Sequence, residues 1–216
     1  TIGNFYLQKG LPQKGEDYFI KSLKITENIF GPNHPNMAEE KENMGFFYFQ
    51  QNQYKKAEQY YLEAAASYTR VYGQNHPFVS NTLKIISYLY ETQSLYQKAE
   101  NYYFEALKID NLLLGAEHIS NANNLNIIAG LKRKNRKYSD SSLIYRKGIE
   151  LQLKLLQKEL PYKIIKERNS FAQKIDFDIP YNIYQFALED NLKSEKELAM
   201  FLRLNRNGLL EEIEKR

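Results

Sequence analysis

Between Pro35 and Tyr72 the chain carries two stretches of apolar and small residues at helical spacing, separated by a polar pair. Met44, Gly45 and Tyr48 fall on one face of the first stretch, and Ala57, Tyr61 and Ala64 on one face of the second. Asn52-Gln53 between them reads as a tight turn. This pattern predicts helix A from Pro35 to Gln51 and helix B from Tyr54 to Tyr72. Pro35 suits the first helical turn, where its missing N–H costs nothing, so His34 takes the N-cap position. Gly73 follows where a left-handed C-terminal cap is expected.

The same pattern returns at a fixed interval. Gly31-Pro-Asn-His34-Pro35 recurs as Gly73-Gln-Asn-His76-Pro77 and as Gly115-Ala-Glu-His118-Ile119, each step being 42 residues. In the same register stand Met44, Ile86 and Ile128; Gly45, Ser87 and Ala129; Ala57, Ala99 and Ser141; Tyr61, Tyr103 and Tyr145; and Ala64, Ala106 and Gly148. Stepping backwards reaches Ile2, Gly3, Tyr6, Gly15, Phe19 and Ser22, so the chain starts inside the first helix of a repeat. A lone helix pair cannot bury both of its faces, and repeated pairs must stack into a solenoid. The small residues let helices approach closely, and the tyrosines fill the space left.

A period near 42 also fits HEAT and armadillo repeats, which run ~40–47 residues. The internal spacing argues otherwise. Met44-Gly45-x-x-Tyr48 followed by Ala57-x-x-x-Tyr61-x-x-Ala64 is similar to the tetratricopeptide signature, and the longer unit resembles its kinesin-light-chain subtype. This resemblance implies an all-α, superhelical solenoid of stacked antiparallel helix pairs over residues 1–156. A partial repeat at 1–30 precedes repeats at about 31–72, 73–114 and 115–156. Repeat four departs from the pattern, with Lys132 in place of Tyr48 and Tyr90, Ser141 in place of Ala, and Ile119 in place of Pro, which predicts looser packing there.

After 156 the register fades. Leu160-Pro161 echoes the His-Pro step, Phe177-Asp178-Ile179-Pro180 is a breaker, and helices are expected near 181–191 and 194–214. Apolar residues at helical spacing across 162–214, such as Ile164, Phe171, Phe186 and Leu198, predict a helical cap at 157–216 folded back on repeat four. The segment running through Glu167-Arg168, Phe186-Ala187-Leu188 and Asn205-Arg206-Asn207-Gly208-Leu209-Leu210 resembles the helical region after the repeats in bacterial proteins ending in a caspase-like CHAT protease. Asn207 stands where that family usually has Lys. This resemblance implies a connector or regulatory role.

Composition narrows the chemistry. The 216 residues hold 18 Tyr and 12 Phe but neither Trp nor Cys, which excludes disulfides, thiolate metal sites and Cys nucleophiles in this stretch. No run approaches the ~20 apolar residues that span a bilayer. The start lacks both a signal-peptide layout and an initiating Met, so a segment of a longer, cytoplasmic protein is expected. Net charge is only +4, yet residues 131–174 hold 13 Lys+Arg against 4 Asp+Glu.

Three His at equivalent repeat positions invite a metal reading. Stacked repeats hold such positions ~10 Å or more apart, whereas zinc ligands sit ~2 Å from one ion, so loop capping is the better account. The run Lys132-Arg133-Lys134-Asn135-Arg136-Lys137 could grip phosphates, but cations at a helix C-terminus also complement its dipole. Adjacent carboxylates such as Glu39-Glu40 diverge around a helix axis, and no Ser or Thr sits in a nucleophile-elbow or phosphate-loop pattern. No enzyme activity, cofactor or metal is therefore expected.

Tetratricopeptide arrays line a concave face with their A helices, which implies where a partner would lie. In repeat two this face holds Glu39, Glu42, Asn43, Phe46, Phe49 and Gln50. Repeat three offers Asn81, Lys84, Ile85, Tyr88 and Glu91, and repeat four Asn123, Asn126, Ile127, Arg133 and Lys134. Amides there can bond an extended peptide's backbone and aromatics can hold its side chains. The expected function is a non-catalytic, protein- or peptide-binding scaffold or sensor, with regulation of a CHAT-type protease domain as its finer form. The alternative is a nucleic-acid adaptor using residues 132–137.

Overall fold

The computed structural model describes residues 2–159, which form eight α-helices and no strand. The C-terminal cap, its fold-back on repeat four and the CHAT-type motif lie outside the described residues. The chain divides into two compact units, residues 1–116 and 117–216. The first contains α1 (Ile2–Gln8), α2 (Pro12–Phe30), α3 (Pro35–Gln50), α4 (Tyr54–Tyr72), α5 (Pro77–Thr92) and α6 (Tyr96–Leu114). Each helix from α1 to α5 packs on the next in sequence, as stacked helix pairs require. The described part of the second unit is the pair α7 (Ile119–Lys134) and α8 (Tyr138–Glu159).

The register positions of repeats two to four are buried, whereas in the partial first repeat Gly3, Gly15 and Phe19 are buried, Tyr6 and Ser22 are half-buried and Ile2 is exposed. Met44, Ile86 and Ile128 are at most 1% exposed, and Tyr61, Tyr103 and Tyr145 are buried at 3%, 7% and 6%. The contact within each pair depends on small residues. A Cβ on Gly45 would lie 2.7 Å from Cδ1 and Cε1 of the Tyr61 ring, and one on Gly3 would overlap the ring of Phe19. Repeat three has Ser87 at this position, and its Oγ donates to the Ala99 carbonyl across the pair at 2.7 Å. Repeat four moves the hydroxyl to the other helix, where Ser141 donates to the Ala129 carbonyl at 2.8 Å. Ser141, counted among the departures that predict looser packing, instead adds a buried hydrogen bond worth ~0.5–1.5 kcal/mol.

The helix ends follow one rule per repeat. His34, His76 and His118 are N-caps whose Nδ1 accepts from the backbone N–H two residues on, at 3.2, 3.3 and 3.2 Å. Tyr72 stacks on the His76 ring at 4.3 Å and Phe30 on His34 at 4.6 Å, fixing the imidazoles that make the caps. The expected left-handed cap at Gly73 is corrected by the structure. Gly31, Gly73 and Gly115 have φ of 81–85° but an extended ψ of 165°, 164° and 150°, a region only glycine occupies readily. Helix B must hand the chain on to the next pair, so it leaves extended.

The left-handed residue sits at the end of helix A. Gly10, Asn52, Ser94 and Arg136 hold this place with φ of 72°, 58°, 59° and 60°. Each is followed by an N–H that reaches back five residues, as in Gln53 to Tyr48 O and Lys137 to Lys132 O, both 2.9 Å. This Schellman geometry turns the chain sharply enough to start helix B after a short polar link.

Between repeats of the first unit a tyrosine clamp recurs. The Tyr48 hydroxyl donates to Glu16 at 2.5 Å, and the Tyr90 hydroxyl donates to Glu58. Tyr60 and Tyr102 each stack on the clamped ring at 5.4 Å, while Lys56 and Lys98 hold their ammonium groups 4.6 and 5.1 Å from it. Burial, joined by the carboxylate each hydroxyl faces, pushes both clamp phenols well above their ordinary range, so they stay protonated donors.

Candidate partner-binding groove

Period-42 arithmetic places Glu42 and Lys84 at equivalent points of α3 and α5, and the structure gives each a different partner from the helix behind. Glu42 is half-buried, accepts a hydrogen bond from the Thr82 hydroxyl and lies within electrostatic reach of the Tyr68 hydroxyl. Lys84 instead makes a 2.7 Å ion pair with Asp110, a nearly buried carboxylate that also accepts from Ser80. Asp110 stands 42 residues after Tyr68, so the two positions changed together: Tyr behind Glu in one repeat, Asp behind Lys in the next.

These residues stand at a pocket of about 490 Å³. Phe46 and Phe49 of α3 and Ile85 and Tyr88 of α5 form its apolar walls, Tyr61 of α4 contributes a ring, and Asn43 supplies an amide. The Phe49 and Tyr88 rings meet at 5.7 Å, tilted by 48°. Phe46 and Tyr88 stay 42% and 56% exposed, large apolar surface left to solvent beside fixed polar groups, which is the usual make-up of a ligand site. Burial raises the Glu42 carboxyl above the ordinary carboxylate range. The Thr82 hydrogen bond opposes this, Glu39 adds to it, and Tyr68 opposes it again.

Of the groove residues expected from the sequence, Glu42, Asn43, Phe46, Phe49, Lys84, Ile85 and Tyr88 are brought together here. Gln50 and Asn81 lie on the same helices, exposed and outside the lining. Asn123, Asn126, Arg133 and Lys134 belong to α7 in the second unit, with Asn123 and Lys134 exposed and the other two half-buried. The buried Asn126 Oδ1 has no hydrogen-bond partner, and it fills the place where a Cβ on Gly148 would fall, 2.6 Å away. Sequence reasoning missed Thr82, Tyr68 and Asp110, which hold the two charges. The paired change at 68 and 110 was the signal that could have found the last two.

The basic run is partly spent on the fold. Lys132 is a nearly buried side chain in an ion pair with Asp140 at 3.3 Å, and Arg136 is the left-handed residue of the turn. The three histidines each cap their own helix, and no group of three or more potential metal ligands occurs among the described residues. No helix among the described residues is long and apolar enough to cross a membrane.

Comparison with known proteins agrees with this architecture. Two family models, both described as tetratricopeptide repeat, match residues 1–36 and 40–111, together half of the chain. The second match covers the pocket-bearing faces of α3 and α5. A kinesin-light-chain protein of Podosopora anserina, with nearly identical TPR-like repeats, superposes with a TM-score of 0.64 at 16% identity, over 95% of this chain and 92% of that one. BtubC (BKLC) from P. vanneervenii gives 0.60 at 17% identity, over 71% of this chain, which spans 61% of that protein. The apo form of RapI gives 0.53 at 15% identity, over 99% of this chain and 63% of that one. No curated protein sequence matches the chain. With its 42-residue helix pairs, its small-residue contacts and these matches, the chain belongs to the tetratricopeptide-repeat family, with repeats of the kinesin-light-chain-like kind.

Proposed function

We propose that this chain is a non-catalytic protein-interaction module that binds an extended peptide of a partner protein along the α3–α5 face. One observation carries the reading: seven residues assigned to a groove by repeat register line a single aromatic-walled pocket. The exposed rings of Phe46 and Tyr88 can take a partner's side chains, and Asn43 can bond its backbone. Asn81 and Gln50 would extend the contact surface beyond the pocket, and Asn123, Asn126, Arg133 and Lys134 of α7 would offer a contact surface of their own. A cytoplasmic scaffold or sensor role follows, and regulation of a CHAT-type protease domain would be one form of it. The nucleic-acid alternative draws no comparable support, because Lys132 is committed to Asp140.

The test uses random dodecapeptides displayed on phage and selected on the full chain. Enriched peptides should bind the Phe46→Ala/Tyr88→Ala double variant at least about tenfold more weakly than the parent, since truncated interface aromatics cost ~2 kcal/mol or more. Peptides that bind the double variant undiminished would overturn the reading.

A further inference from the structure

The pocket's two charges are not equivalent. Lys84 is already neutralised by Asp110 at 2.7 Å, and drawing the ammonium away would leave a nearly buried carboxylate without its cation. An acidic ligand would have to break that pair. Glu42 accepts from the Thr82 hydroxyl and has no ion pair among the described residues, while Glu39 lies one turn away on the same helix. The result is one uncompensated carboxylate set among the rings of Phe46, Phe49, Tyr61 and Tyr88. Aromatic faces attract cations, and a guanidinium can stack on a ring while its edge meets a carboxylate.

We infer that the pocket's occupant is a basic side chain, arginine or lysine, of the partner peptide, its charge on Glu42 and its stem against Phe46 and Tyr88. This rests on the peptide-binding reading above and adds the chemistry of the anchor. Burial and Glu39 both disfavour a lone charge on Glu42, so a bound cation relieves a cost that the free protein carries. Asn43 at the same pocket leaves an amide for the peptide backbone next to the anchor.

Peptides from the same phage selection, synthesised and titrated by calorimetry, test it. The expected consensus carries Arg or Lys at one position. Replacing that residue by norleucine should weaken binding about tenfold to a hundredfold, the scale of a hydrogen-bonded charge. Glu42→Gln in the protein should give a similar loss, and the two changes together should lose little more than either alone. Glu42→Gln keeps an acceptor for Thr82, and the norleucine peptide gives the same readout on the unaltered protein. Peptides that need Phe46 and Tyr88 yet carry no basic residue, or that ignore both changes, overturn this inference and leave the peptide-binding reading standing. Peptides indifferent to Phe46→Ala/Tyr88→Ala overturn both.

Discussion

Gly45 and Gly130 offer one substitution in two environments. Both lie inside A helices, α3 and α7, so replacing either by Ala gains the same helix propensity, ~0.8–1.0 kcal/mol. Their surroundings differ. A Cβ on Gly130 would meet only the Tyr145 hydroxyl at 3.6 Å, an ordinary contact, whereas one on Gly45 would sit 2.7 Å from two atoms of the Tyr61 ring. Tyr61 is buried between α3 and α4 and cannot swing away without opening the pair. Overpacking of this kind costs ~1–3 kcal/mol. Gly130→Ala should therefore stabilise by about 1 kcal/mol, while Gly45→Ala ends between about neutral and 2 kcal/mol worse. Thermal melts followed by circular dichroism should separate the two variants by ~2–12 °C, at ~2–4 °C per kcal/mol for a chain of this size. Gly45→Leu should fall further still. If both alanine variants raise the melting temperature equally, the Tyr61–Gly45 contact is not what holds α3 on α4.

The remaining predictions use the other repeat-wise devices. Ser87→Ala should cost ~0.5–1.5 kcal/mol by removing the buried hydrogen bond to the Ala99 carbonyl, and adding Ala99→Ser should recover part of the loss by copying the repeat-four arrangement; a chemical-denaturation series decides. His76→Ala should remove an N-cap and cost ~0.5–2 kcal/mol, whereas His76→Asn should keep most of it, both read from the same series. Arg136→Gly should stabilise, because a left-handed conformation costs a non-glycine residue ~1–2 kcal/mol, and a lower melting point for that variant would contradict the turn geometry. Burial raises the folded-state pKa of Glu42 above its unfolded value, so the folded chain holds that proton more tightly and stability falls as pH rises through the folded pKa. Glu42→Gln should thus melt like the parent near pH ~4 and above it near pH ~7, and an unchanged difference across that range would show that Glu42 is not buried as described.

The sequence alone determined the repeat, its length and which residues face inward. Those properties are local or periodic: an apolar residue returning every 42 positions on a 3.6-residue helix has the same neighbours each time. Tyr61, Tyr103 and Tyr145 were legible for that reason, as were the histidine caps, which need only the backbone N–H two residues on. The sign of φ at Gly73 was legible too, but its ψ was not, because the direction in which helix B releases the chain depends on where the next pair must start. Likewise the left-handed place fell to Asn52, Ser94 and Arg136, which carry no shared residue signature. Register could assign Glu42, Phe46, Lys84 and Tyr88 to one face, yet only the tertiary structure joined them into one pocket and separated their charges. Whether a carboxylate or an ammonium is already neutralised depends on what the helix behind presents, Tyr68 in one repeat and Asp110 in the next. That partner lies 26 residues away along the chain but beside the charge in space, and only packing brings the two together.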